Sequence, residues 1–220
     1  MQVYYDSDRV YQIVRLHPYT GSAPGQTGHV DLKAHPELIT SAMEDFVPFA
    51  HRAATQAFYQ LLRELNSPAS HLETSDCAYR PPRPHSDAHS PLALSAYGRL
   101  YVLFRDLRLN CVPSQAQWLC GKLMAILSET DPSLSVAQGV VGFTQVRILH
   151  TTLSTGEWLA GGQFECADDD PGYGDHLMLS SFAYGNTDDE VDESLSRVFQ
   201  NITESCVLIS QEMASALKRP

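Results

Sequence analysis

The feature that most restricts how this chain can fold is its last thirty-odd residues. Val191, Leu195, Val198, Phe199, Ile202, Cys206, Ile209, Met213 and Leu217 recur at intervals of three and four without interruption, the apolar stripe of one long helix with a single buried side. Thr187 with Glu190 has the spacing of a capping box. Asp188 and Asp189 favour the positive N-terminal end of the helix dipole, and Lys218 and Arg219 suit the other end. A helix of that length with one narrow stripe needs a broad apolar partner. The segments before it supply one.

"VVGFTQVRILHTTLSTGEWLAGGQFEC" (140–166) holds two β-rich runs around Thr155-Gly156, the pattern of a tight hairpin. "HLMLSSFAY" (176–184) reads as the next strand, and "LSAYGRLYVLFRDLRLN" (94–110) as a long central strand with apolar residues on both faces. "RVYQIVRLH" (9–17) reads as a first strand. From Pro36 the periodicity is helical as far as Leu65, with Pro48 expected to kink the helix or open a new first turn. "PSQAQWLCGKLMAILSE" (113–129) reads as another helix entered through Pro113. The predicted order is β-α-loop-β-α-β-β-β-α. This is an α+β fold, a mostly antiparallel sheet with three main helices packed on it, and a single domain over 1–220.

Residues 67–91 have no clear periodicity and contain five prolines, so they read as a long Pro/His-rich loop. Within it "HSDAH" places His85, Asp87 and His89 where a turn could bring two imidazoles and a carboxylate together. "HVD" adds His29 and Asp31 in the His-x-Asp spacing that non-haem iron sites use, with His150 or His176 as candidates for a third ligand. These residues define one functional expectation: a metal-dependent enzyme with a mononuclear divalent transition-metal site built from N-terminal His/Asp loops. The opposing expectation for the same stretch is a tether with incidental histidines and no cofactor.

Charge carries the leading expectation. The chain has 26 Asp/Glu against 15 Lys/Arg, a net charge of −11. Residues 1–110 are nearly balanced at 10 Lys/Arg to 11 Asp/Glu, whereas 111–220 have 5 to 15. Such a balance weighs against nucleic acid, whose phosphates are neutralised by Lys and Arg. Two acidic clusters, Asp168, Asp169, Asp170 and Asp175 in one loop and Asp188, Asp189 and Glu190 at the helix start, suggest a surface for a basic protein partner. The spacing of the first cluster does not match a calcium loop. No nucleophile elbow or phosphate-loop motif is present. The sequence thus reads first as a non-enzymatic acidic interaction protein of the adaptor, chaperone, immunity or inhibitor type. A third expectation is a small-molecule pocket between the sheet and the long helices, lined by aromatics, among them Tyr97, Tyr101, Phe104, Trp118, Phe143 and Trp158.

Five cysteines, odd in number and widely spaced, fit free thiols in a reducing cytoplasm better than a disulfide framework. No apolar run is long enough to span a bilayer and no export signal is apparent, so the expectation is a soluble protein that does not engage membranes. A homodimer through a sheet edge or helix face is compatible with the pattern.

Overall fold

The computed structural model describes residues 1–6, 11–13, 32–40, 48–85, 92–135, 137–149 and 173–217. The terminal stripe forms α4 (Asp188–Leu217), with Val191, Leu195, Val198, Phe199, Ile202, Cys206 and Ile209 all buried. Its capping box is present with a shift of one residue. The Glu190 amide donates to Thr187 Oγ1 at 3.2 Å, while the Glu190 carboxylate accepts from the Asn186 amide at 2.8 Å.

The partner surface is a mixed, mostly antiparallel sheet built from β1 (Gln2–Tyr5), β2 (Tyr11–Ile13), β3 (Leu72–Pro84), β4 (Leu94–Phe104), β5 (Gly139–Leu149) and β6 (Tyr173–Gly185). The strand order is β1-β5-β6-β4-β3. β1 and β2 both run parallel to β5, opposite Val140–Phe143 and Val146–Ile148, and form two lengths of one edge line. The other pairings are antiparallel. The fold is α+β, as the sequence implies. The second arm of the hairpin around Thr155-Gly156 falls outside the described residues, and β5 pairs directly with β6.

Three differences from the sequence reading have physical causes. First, the stretch 67–91 is not wholly loop: β3 occupies thirteen residues of it. Register shifts between Thr74 and Asp76 and between Arg80 and Arg83 interrupt its pairing with β4. Leu72 and Thr74 lie opposite Phe104 and Val102, but beyond the first shift it is Cys77 and Tyr79 that lie opposite Leu100 and Gly98. Apolar parity therefore switches from even to odd, and a period-two search finds nothing. Pro81, Pro82 and Pro84 are tolerated because β3 is an edge strand.

Second, β4 stops at Phe104 and is followed by a one-turn helix, α2 (Leu107–Asn110). Asp106 caps this turn by accepting from the Arg108 amide at 3.2 Å. The Asn110 amide accepts from Phe104 N at 2.9 Å and donates to Phe104 O at 2.8 Å, so it satisfies the strand end as a neighbouring strand would.

Third, within the helix expected from Pro36 the described residues form a short 3₁₀ turn at Pro36–Ile39 and then α1 (Ala53–Asn66), with Pro48 in a 3₁₀ turn ahead of α1, while 41–47 lie outside the described residues. No side chain of its own caps α1. Asp192 of α4 does so from outside, accepting from Ala53 N at 2.9 Å and Ala54 N at 3.4 Å. The remaining helix, α3 (Pro113–Thr130), begins with proline as expected.

α1, α3 and α4 contribute with one face of the sheet to the main core. Phe199 of α4, Phe58 of α1 and Tyr79 of β3 meet at ring separations of 5.0 to 6.2 Å. Gly98 permits this meeting: a Cβ there would lie 2.5 Å from Phe199 Cζ. No described helix is long and apolar enough to cross a membrane. Cys77, Cys111, Cys120 and Cys206 are free thiols.

Candidate functional site

Alternation along the strands sends the even residues of β4, Ala96 to Phe104, toward the helices. The odd ones, Ser95, Tyr97, Arg99, Tyr101 and Leu103, go to the opposite face. Register places His176, Met178, Ser180, Phe182 and Tyr184 of β6 on that second face beside them. Asp76, Ala78, Arg80 and Arg83 of β3 lie directly opposite Tyr101, Arg99, Tyr97 and Ser95.

One end of the second face is closed. Tyr101, Leu103, Val146 and His176 are 3% exposed or less. Buried Glu73 accepts from Lys33 Nζ at 2.7 Å and has Arg105 at 3.8 Å, and Arg99 pairs with Asp76 at 3.0 Å. Ser75, in the β3 register shift, has its Oγ 2.7 Å from His176 Nδ1. A serine beside a histidine has the reach of a nucleophile and base. Both residues are buried, however, and the pair satisfies two polar groups while pinning the irregular strand.

The other end opens into a groove of about 510 Å³ lined chiefly by Arg80, Arg83, His85, Tyr97, Phe182 and Tyr184. The rings form a continuous row: His85 to Tyr184 is 5.2 Å, Tyr184 to Phe182 6.5 Å and Phe182 to Tyr97 4.9 Å. Arg80 reaches over Tyr97, 6.0 Å from its centroid. Arg80 and Arg83 are exposed, and among the described residues neither has a carboxylate partner. Arg99, also lining the groove, has a buried Nε with no hydrogen-bond acceptor among the described residues. Burial, with the nearby Tyr4 adding to it, raises the Tyr184 hydroxyl above the usual phenol range. At neutral pH Tyr184 is therefore a neutral donor.

The described acidic residues singled out in the sequence are dispersed and partly engaged. Asp188 pairs with Arg52 at 2.9 Å, Glu190 holds the capping box, and Asp189 is exposed. Asp175 is nearly buried and lies opposite Arg147 in the β5–β6 ladder. From Asp175 to Gly185, β6 carries the chain about 33 Å at the usual strand rise, so Asp175 and the α4 cluster sit at opposite ends of the strand. Asp168, Asp169 and Asp170 lie outside the described residues.

Of the metal candidates, His85 packs on Tyr184, whereas His29, Asp31, Asp87 and His89, with His150, lie outside the described residues. Among the described residues no three His, Cys, Asp or Glu side chains are grouped to hold a metal ion. Sequence reasoning missed the groove. Its signal is present in "AYGRLY" and "SFAYG", where Tyr97, Arg99, Phe182 and Tyr184 occupy the parity opposite to the core residues, but β3 had to be recognised before Arg80 and Arg83 could join them.

Comparison with protein-family models, with curated proteins and with solved structures finds no match to this chain.

Proposed function

We propose that the protein is a non-enzymatic binding module that takes an anionic ligand on the open end of its second sheet face. One observation carries the reading: two exposed arginines without carboxylate partners among the described residues, Arg80 and Arg83, border a row of four rings in a groove at the surface. Arginine recognises carboxylate and phosphate oxygens with two parallel donors, and the rings supply apolar area that needs little ordering on binding. We place this module in the reducing cytoplasm, a reading supported by the four free thiols among the described residues.

The exposed first turn of α4, Asp188, Asp189 and Glu190, favours a second reading, in which a basic protein surface docks there. Thermal unfolding with charged probes separates the two. On the groove reading, a short polyglutamate peptide or tripolyphosphate raises Tm, and the rise disappears in Arg80→Gln/Arg83→Gln. On the second reading, polylysine raises Tm and Asp188→Asn/Asp189→Asn abolishes the effect. If no anionic probe raises Tm, the groove reading fails.

A further inference from the structure

We propose that the groove's ligand is a small molecule that joins a planar aromatic ring to a phosphate, of the nucleoside monophosphate class. This inference rests on the open-face reading above and narrows it by three observations.

The first is size. About 510 Å³ is within the range of pockets that enclose a single small molecule. The second is the division of the lining. Arg80 and Arg83 belong to the edge strand β3, while Tyr97, Phe182 and Tyr184 belong to the adjoining β4 and β6, so the groove has a cationic rim and an aromatic floor. A ligand that is only an anion leaves the aromatic floor exposed; one that is only a ring leaves the guanidinium groups without acceptors. A ring and a phosphate on one small scaffold answer both. Ser95, opposite Arg83 in the ladder, adds a hydroxyl at the rim.

The third is charge. A net charge of −11 opposes the approach of any long polyanion. Screening over about 8 Å at physiological ionic strength limits that repulsion for a compact ligand bearing one or two charges. The groove therefore suits a mononucleotide better than a nucleic-acid strand, whose further phosphates would lie against an acidic molecule. Flat bases stack on such rings whatever their identity, so the site discriminates ring-plus-phosphate from its parts more strongly than one base from another.

The test is isothermal titration of the purified full chain with adenosine 5′-monophosphate and guanosine 5′-monophosphate, and separately with adenosine and with inorganic phosphate. The expected result is saturable one-to-one binding of both mononucleotides, with each half-molecule at least about tenfold weaker. Arg83→Gln lies at an exposed edge and should weaken the mononucleotides about tenfold, the ordinary worth of a hydrogen bond to a charged group. Tyr97→Leu should weaken them by a similar factor, and Glu204→Gln, exposed on α4 sixteen residues beyond the helix start and on the helix side of the sheet, should change nothing. Three results would overturn the proposal: no binding of either mononucleotide at millimolar concentration, affinity unchanged in both groove variants, or an oligothymidine strand binding far more tightly than the mononucleotides. If the mononucleotides fail while polyglutamate binds in an Arg83-dependent way, the ligand class is wrong and the open-face reading stands. If every anionic probe fails, both are wrong.

Discussion

The docking of α4 on the sheet depends on an absent side chain. At Gly98 a Cβ would fall 2.5 Å from Phe199 Cζ and 2.6 Å from Phe199 Cε1, well inside contact distance, and both are backed by other core rings. Phe199 is wedged between Phe58 and Tyr79, so it has little freedom to retreat. Gly98→Ala should therefore destabilise by about 1–3 kcal/mol, the usual cost of overpacking, despite the smaller gain expected from removing a strand glycine. With a urea m-value of about 3 kcal/mol/M, a 2 kcal/mol loss moves the unfolding midpoint down by roughly 0.7 M. Gly121 provides the control. It is a helical glycine where an added Cβ would meet nothing within 4 Å, and Gly121→Ala should raise stability by about 0.5–1 kcal/mol. Phe199→Leu lacks the two clashing ring atoms, so Gly98→Ala/Phe199→Leu should be at least about 1 kcal/mol more stable than the sum of the single changes predicts. A neutral Gly98→Ala, or strict additivity in the double variant, would refute the proposed packing.

Further expectations follow from single groups. Burial tends to raise the Asp131 carboxyl, but hydrogen bonds from Ser133 and Arg197 and the Arg197 charge outweigh it and hold the pKa down to about 2. Since the folded pKa is below the unfolded value, this stabilisation is present above about pH 4 and is lost as pH falls through 2. Asp131→Asn should cost roughly 1–2 kcal/mol at pH 7 and much less at pH 2, read by urea unfolding at both. Burial pushes the Cys77 and Cys206 thiols up to about 12 and Cys120 to about 11. All three should resist iodoacetamide at pH 8 in the native protein and react once it is unfolded, as peptide mapping would show. Asp192→Ala removes the acceptor at the start of α1 and should cost about 0.5–2 kcal/mol, with faster amide exchange at Ala53 and Ala54.

The legible parts of this fold were those whose pattern is local. α4 and α3 show a continuous helical stripe or a proline entry, and the central strands are dense in apolar residues, so each can be read without knowing its neighbours. What was hidden depends on pairing. The shift at Ser75 reverses the parity of β3, and only the ladder to β4 shows Tyr79 beside Gly98 and Arg80 beside Tyr97. Likewise α1 begins where it does because Asp192, 139 positions away from Ala53, accepts from its first amides. The candidate site was hidden for the same reason. Its arginines and aromatics come from three strands, and Asp188, counted only as part of an acidic cluster, pairs with Arg52, a partner 136 positions away that charge counting does not reveal.

Backbone amide chemical shifts followed during titration with tripolyphosphate test anion binding on the open sheet face most directly. Saturable shifts concentrated at Arg80, Arg83, Tyr97, Phe182 and Tyr184, and absent in Arg80→Gln/Arg83→Gln, are the expected result. Shifts centred on the helices instead, or none at saturating ligand, would contradict it.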